Sequence, residues 1–179
     1  MKLLQLLPIG NTDGQLLQEL GAAMAGLFRV SFMVLPAALD PRFAFHPERQ
    51  QYHSSEILAA MQPGLRDDCW RFLGVAAVDL YIPILTFVFG EAQMGGPCAV
   101  VSSYRLRQEY YGLPPDSGMM RARLLKEAVH EIGHTLELTH CHDYRCAMAP
   151  SHAVEWIDIK EPWLCSQCQS RVLAGEASR

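Results

Sequence analysis

Apolar residues fill positions 3–7 except at Gln5, stop at the polar group Asn11-Thr12-Asp13-Gly14, and then recur at Leu16, Leu17, Leu20, Met24 and Leu27. The first run predicts a buried strand over 2–7. The second, spaced by three and four, predicts a helix whose start the polar group marks. Val30, Phe32 and Val34 alternate, so Phe28–Leu35 reads as a second strand closed by Pro36. Pro41 to Pro47 reads as loop, and Ser54-Ser55 open a short helix that Pro63-Gly64 stops. Phe72–Leu80 is a mostly apolar run, as in a strand buried on both faces. Thr86–Phe89 and Cys98–Ser103 are two further β-rich runs on either side of Gly95-Gly96-Pro97. A long helix follows from about Met119 to Leu136, and beyond it no period fits. The order β-α-β-α-β-β-β-α predicts an α+β fold, a mixed twisted sheet with packed helices and an irregular C-terminal part.

The chain has 179 residues, half of them apolar, enough for one sizeable core and too few for two ordinary domains. The expectation is a single unit over 1–179, with a sheet-and-helix part to about 136 and a lower part over about 137–179. Fifteen Lys/Arg against nineteen Asp/Glu give a net charge of −4, which argues against a nucleic-acid partner. Nothing approaches the ~18 uninterrupted apolar residues of a membrane span. The opening MKLLQLLPIG is broken by Gln5 and Pro8, so it reads as a strand rather than a secretory leader. That reading puts the six cysteines in a reducing, cytoplasmic compartment, where clustered cysteines are metal ligands or catalysts before they are disulfides. Cys69 and Cys98 stand apart and read as small buried hydrophobes. Monomer is the default expectation.

The chemistry concentrates in His130-Glu131-Ile132-Gly133-His134-Thr135-Leu136-Glu137-Leu138-Thr139-His140. Histidines four apart on a helix can share one ion. At about 100° per residue, Arg123, Glu127, His130, Glu131 and His134 fall on one side. Leu124, Leu125, Ala128, Val129, Ile132 and Leu136 fall on the other, so the helix would turn its His/Glu face to a cleft. Zinc suits imidazole nitrogen, and a catalytic zinc takes three protein ligands and leaves a fourth position for water. His140, past the helix end, can be the third ligand. Glu131, beside the ion but not bound to it, would take the water's proton and pass it to a leaving amine. Amide hydrolysis is the reaction these parts serve. Cys141, Cys146, Cys165 and Cys168, with their CxxC, match a closed tetrahedral site that would fold a tail poor in apolar residues. Glu127 and Arg123 read as a solvated helix side, and His46, His53 and His152 as ordinary polar residues. Trp156 and Trp163 are expected to pack over the cysteine cluster and the catalytic lower lobe.

The stretch resembles the metzincin signature HExxHxxGxxH, and its continuation is similar to the archaemetzincin family. There the third histidine is followed at once by Cys, then by Cys-x-Met and CxxC. Here these are His140-Cys141, Cys146-Ala147-Met148 and Cys165-Ser166-Gln167-Cys168. Asp79-Leu80-Tyr81-Ile82-Pro83 and Phe87-Val88-Phe89-Gly90-Glu91-Ala92 look like the same family more faintly. The resemblance implies a zincin-like fold and a zinc-dependent, aminopeptidase-like peptidase acting on peptides or proteins. It also implies a catalytic zinc at His130, His134 and His140 with Glu131 as base, and a second zinc at Cys141, Cys146, Cys165 and Cys168. Met148 would be the floor of the Met-turn, and either Phe87–Glu91 or Ala99–Ser103 would be the sheet edge that receives substrate.

The pattern breaks at one place, because the family's glycine is Glu137. Glycine there lets the chain turn through a left-handed conformation, which costs Glu roughly 1–2 kcal/mol. Metal binding worth several times that can hold the turn. The carboxylate would also stand near the ion. Two other readings stay open: His142 or Asp143 replaces His140 as ligand, or the site is weakened and the chain serves as a zinc-stabilised peptide- or protein-binding module.

Overall fold

The structure, a computed structural model, describes residues 2–177. Its main sheet has five strands in the order β2-β1-β5-β8-β7. These are β1 (Leu3–Ile9), β2 (Ser31–Val34), β5 (Cys69–Ala76), β7 (Gly90–Ala92) and β8 (Cys98–Ser102). The pairs β1–β2, β1–β5 and β5–β8 are parallel, and β7 closes one edge antiparallel to β8. A second, three-stranded sheet joins β3 (Phe45–His46), β4 (Gln51–His53) and β6 (Leu80–Tyr81).

Strand side chains alternate between two buried layers, the reason these runs carry few polar residues. Leu4, Leu6, Leu73, Val75, Ala99 and Val101 pack with helices α1 (Gly14–Phe28) and α3 (Ser117–Thr135). Leu7, Ile9, Phe72, Cys98 and Val100 pack on the other face with Ile57, Leu58 and Met61 of helix α2 (Ser54–Met61). Asp13 caps α1 by accepting from the Gln15 amide, and Asp116 caps α3 by accepting from the Met119 amide at 2.8 Å. Among the described residues no helix is long and apolar enough to cross a membrane.

Several boundaries differ from the sequence pattern. Phe28 ends α1 and Arg29 turns left-handed at φ 54°, so the second strand starts only at Ser31. The run Phe72–Leu80 is two strands, β5 and β6, in different sheets. Thr86–Phe89 forms no strand; Val88 makes one isolated bridge to Leu80, and the edge strand begins at Gly90. The expected loop from Pro41 holds a 3₁₀ turn (Pro41–Ala44) and β3. The C-terminal part carries two helices, α4 (Val154–Ile159) and α5 (Ser166–Ala177), joined by non-periodic chain.

The expected solvated side of α3 is buried. Arg123 donates to both carboxylate oxygens of Asp158 at 2.7 and 2.6 Å, and Glu127 pairs with Lys160 at 2.7 Å. Both faces of α3 are covered because α4 and the chain around Met148 close over the polar one. Helical spacing cannot announce that cover.

Candidate metal centre and cleft

The cleft is a hollow of about 530 Å³ between the β7 edge and α3, with an apolar wall from Ile82, Leu85, Phe87, Phe89 and Met94. At its floor the side-chain nitrogens of His130, His134 and His140 lie within 4.8 Å of one another. His130 is buried, His134 half-buried and His140 exposed. His142 and Asp143 stand outside the cluster. Asp143 instead forms a local turn, its carboxylate accepting from the Arg145 amide and its carbonyl from the Cys146 amide.

Nδ1 of His130 lies 2.8 Å from the Ala147 carbonyl, and Nδ1 of His134 lies 2.8 Å from the Leu138 carbonyl. A carbonyl only accepts, so both Nδ1 atoms carry the proton, and in neutral rings both Nε2 atoms are bare lone pairs. Those two Nε2 atoms face each other at 3.0 Å. Burial, helped by the positive charge of Lys160, holds His130 well below the ordinary imidazole range, and burial also lowers His134 and His140. Neutral nitrogens converging at that separation suit a divalent cation of the zinc kind.

Helix α3 ends in a way that delivers the third histidine. The Leu138 amide donates to the Gly133 carbonyl and the Glu137 amide to the His134 carbonyl, the two bonds of a Schellman motif. Glu137 occupies the left-handed position of that motif, with φ 67°. Arg71 secures the helix end, donating to the Thr135 hydroxyl at 2.8 Å and the Thr135 carbonyl at 3.2 Å. The Glu137 side chain does not stand near the cluster. It lies against Gly95, whose added Cβ would sit 3.1 Å from the Glu137 carboxylate, and it shares a separate hollow with Lys2 and Arg71. The expectation of a carboxylate at the ion is corrected by this direction: the left-handed turn throws the side chain away from the cleft.

Glu131 lines the cleft from within α3 and is buried. Burial, with the nearby charges of Glu127 and Glu91, pushes its carboxyl well above the usual range, and only the charge of Lys160 opposes this. Met148 is fully buried, its sulfur packed on the helix backbone at Gly133. The sequence pattern overlooked Gly133, Gly90 and Lys160. A glycine inside a helix was the available sign for the first.

The Sγ atoms of Cys141, Cys146, Cys165 and Cys168 also lie within 4.8 Å of one another, as free thiols. Cys141 and Cys165 are 3.8 Å apart, and the Cys165 amide donates to the Cys146 sulfur at 3.3 Å. Burial pushes the Cys168 thiol up, and the neighbouring thiols add to it. A thiophilic cation removes that conflict by taking thiolates as ligands. The cluster's apolar neighbours are Leu138, Met148, Leu164 and Val172. Trp156 and Trp163 are both half exposed, and Trp156 stands edge-on to His152, which lines the cleft. Of the two candidate edges, Phe87–Glu91 and Ala99–Ser103, the second is excluded, because β8 is paired on both sides.

Residues 43–173 match the sequence model described as Peptidase family M54. The archaemetzincin of Methanocaldococcus jannaschii is 38% identical over 165 residues, covering 92% of this chain and 89% of that protein. The archaemetzincin of Thermococcus kodakarensis is 33% identical, covering 97% and 96%. Among solved structures, that of archaemetzincin from Archaeoglobus fulgidus complexed with malonate superposes with TM-score 0.82 at 34% identity, covering 94% and 99%. That of a zinc-dependent peptidase from Methanocorpusculum labreanum gives TM-score 0.85 at 25% identity, also covering 94% and 99%.

Proposed function

The chain belongs to peptidase family M54, the archaemetzincins, and from that premise we propose that His130, His134 and His140 hold a catalytic zinc while Glu131 serves as general base in peptide-bond hydrolysis. The chain is a zinc metallopeptidase. The finer reading rests on one observation: two bare Nε2 atoms face each other at 3.0 Å with both Nδ1 protons engaged by backbone. A zinc bound there supplies Lewis-acid chemistry, acidifying water and polarising the scissile carbonyl.

The chain's own residues do the rest. Glu131 takes a proton from the attacking water on a carboxylate oxygen and returns it to the leaving amine nitrogen. Burial, which raises its affinity for that proton, suits it to hold the proton between the two events. The substrate lies along β7. The Phe89 carbonyl accepts from Ser102 and the Gln93 amide donates to Cys98, so by alternation the main-chain groups of Gly90 and Ala92 point outward to an added strand. The modest volume of the hollow, about 530 Å³, supports aminopeptidase-like action on a short stretch of substrate. Cys141, Cys146, Cys165 and Cys168 hold a second, structural zinc, giving two ions per chain.

Glu131→Gln tests the assignment. The variant is expected to keep two zinc ions by elemental analysis and to lose at least about 100-fold in kcat. Unchanged turnover refutes Glu131 as base, and a single ion per chain, held by the cysteines, refutes the histidine site. Turnover of peptides with free and acetylated N-termini decides the aminopeptidase-like preference.

A further inference from the structure

Lys160 closes α4 and is 1% exposed, yet it carries an ammonium. All three of its protons have acceptors: Glu127 Oε1 at 2.7 Å, the Ala147 carbonyl at 3.1 Å and the Ala149 carbonyl at 3.2 Å. The two carbonyls flank Met148, so the ammonium straddles the residue packed on Gly133 of α3. The Ala147 carbonyl is also the acceptor for Nδ1 of His130. Glu127 stands one turn before Glu131 on the same helix, and it also accepts from the Ser151 hydroxyl at 3.3 Å. One ammonium thus ties the chain on both sides of Met148 to α3 and to the carbonyl that orients the His130 ring.

We propose that Lys160 is a positioning residue for hydrolysis: it fixes the Ala147 and Ala149 carbonyls against α3 and thereby holds the His130 ring in the orientation a metal needs. The proposal rests on the reading of His130 as a metal ligand. A fully buried ion pair is not needed for stability as such, since an apolar pair of the same shape commonly serves as well or better. Its place here is explained by what it holds. Without the ammonium, the Ala149 carbonyl loses this donor and the Ala147 carbonyl keeps only the imidazole. The backbone around Met148 is then free to shift and take the ring with it.

Lys160→Met alone leaves Glu127 buried without its counter-ion, so the informative variant is the neutral pair Glu127→Gln with Lys160→Met. With two ions loaded, kcat is expected to fall about tenfold or more with KM unchanged, and the histidine-bound metal to be lost to a chelator about tenfold faster. Cobalt substitution separates that ion from the cysteine-bound one by its absorption. Glu127→Gln with Lys160→Gln restores amide donors toward the carbonyls and is expected to recover part of the loss. A further readout needs no metal: the His130 Nδ1 proton resonance of the metal-free protein is expected to be sharp in the parent and to exchange rapidly in the Met pair. A folded Met pair with parental kcat, metal release and ring-proton protection overturns the proposal. So does a Met pair that fails to fold, because it assigns the pair to folding. If the parent protein neither hydrolyses peptides nor holds metal at its histidines, the site reading has failed instead. Lys160 is then judged by the ring proton alone, and an unchanged resonance overturns it.

Discussion

Gly90 of the edge strand lies directly over Glu131 of α3: a Cβ at position 90 would sit 2.7 Å from Glu131 Cγ and 2.8 Å from its Oε1. The same Cβ would stand 2.6 Å from the Val100 carbonyl, so it has no side to which it can retreat. The bare backbone at 90 lets the carboxylate approach the strand along which substrate is proposed to lie.

Gly90→Ala therefore pushes either the strand or the Glu131 side chain aside. Overpacking of this kind costs about 1–3 kcal/mol of stability. A displacement of about 1 Å at a catalytic group costs on the order of 100-fold in rate. The expected result is a folded variant with parental zinc content and kcat/KM reduced about 100-fold. Steady-state kinetics beside elemental analysis checks it, and parental kinetics would show that Glu131 does not need the contact.

The cysteine cluster and the histidine cluster share a stretch of backbone. Cys141 follows His140, and its amide donates to the Met148 carbonyl at 2.9 Å. Cys168→Ser removes one sulfur from the cluster and with it much of a binding free energy worth about 10 kcal/mol in small zinc-folded units. The variant is expected to lose the second ion, to melt at lower temperature, and to lose hydrolysis although no cleft residue has changed. A variant stripped of that ion but fully active would show that the two sites are independent.

The clusters were legible in the sequence because their residue types and spacings are chemically narrow: histidines four apart on a helix, then Cys-x-Met and a CxxC. The parallel strands were legible because burial on both faces leaves continuous apolar runs such as Phe72–Ala76. What stayed hidden depends on partners distant in the chain. Lys160 is a lone cation in a segment without period, and only folding brings it to Glu127. Arg123 and Glu127 sit at positions that helical spacing assigns to solvent, and α4 covers them. Thr86–Phe89 has strand composition but crosses above the cleft, with Arg49 donating to the Leu85 and Thr86 carbonyls and Arg105 lying over Phe87. Which side a left-handed Glu137 would face is set by the turn geometry and not by its residue type.

Since Glu137 faces Gly95 and the hollow of Lys2 and Arg71, its carboxylate is expected to be dispensable for chemistry. Glu137→Gly relieves a left-handed strain of about 1–2 kcal/mol. Against this stand roughly 0.5–1 kcal/mol of extra unfolded-state entropy and the contacts of the side chain. Stability should move by less than about 1 kcal/mol on that balance, with zinc content and kcat unchanged. Urea unfolding and kinetics on the purified variant check both. A rise in kcat of tenfold or more would mean that the carboxylate restrains the centre after all.

The metal-free protein carries two opposed titrations in one site. His130, His134 and His140 are lowered by burial from the ordinary 6.5, so the unfolded chain takes up protons first as pH falls. Their contribution is intact above 6.5 and is lost as pH falls below it toward the folded values. Glu131 is raised well above 4.5 by burial, so the folded chain holds the proton more tightly. Its stabilising contribution is present at acid pH and is lost as pH rises from 4.5 through the raised folded value. Glu131→Gln abolishes only the second effect. Above the raised value, metal-free Glu131→Gln is therefore expected to be more stable than the metal-free parent. At acid pH the two should converge, while both lose stability below 6.5 through the histidines. Urea unfolding at a series of pH values decides it: parallel curves for the two proteins would mean that Glu131 is not held in the low-dielectric position from which it is proposed to carry the proton.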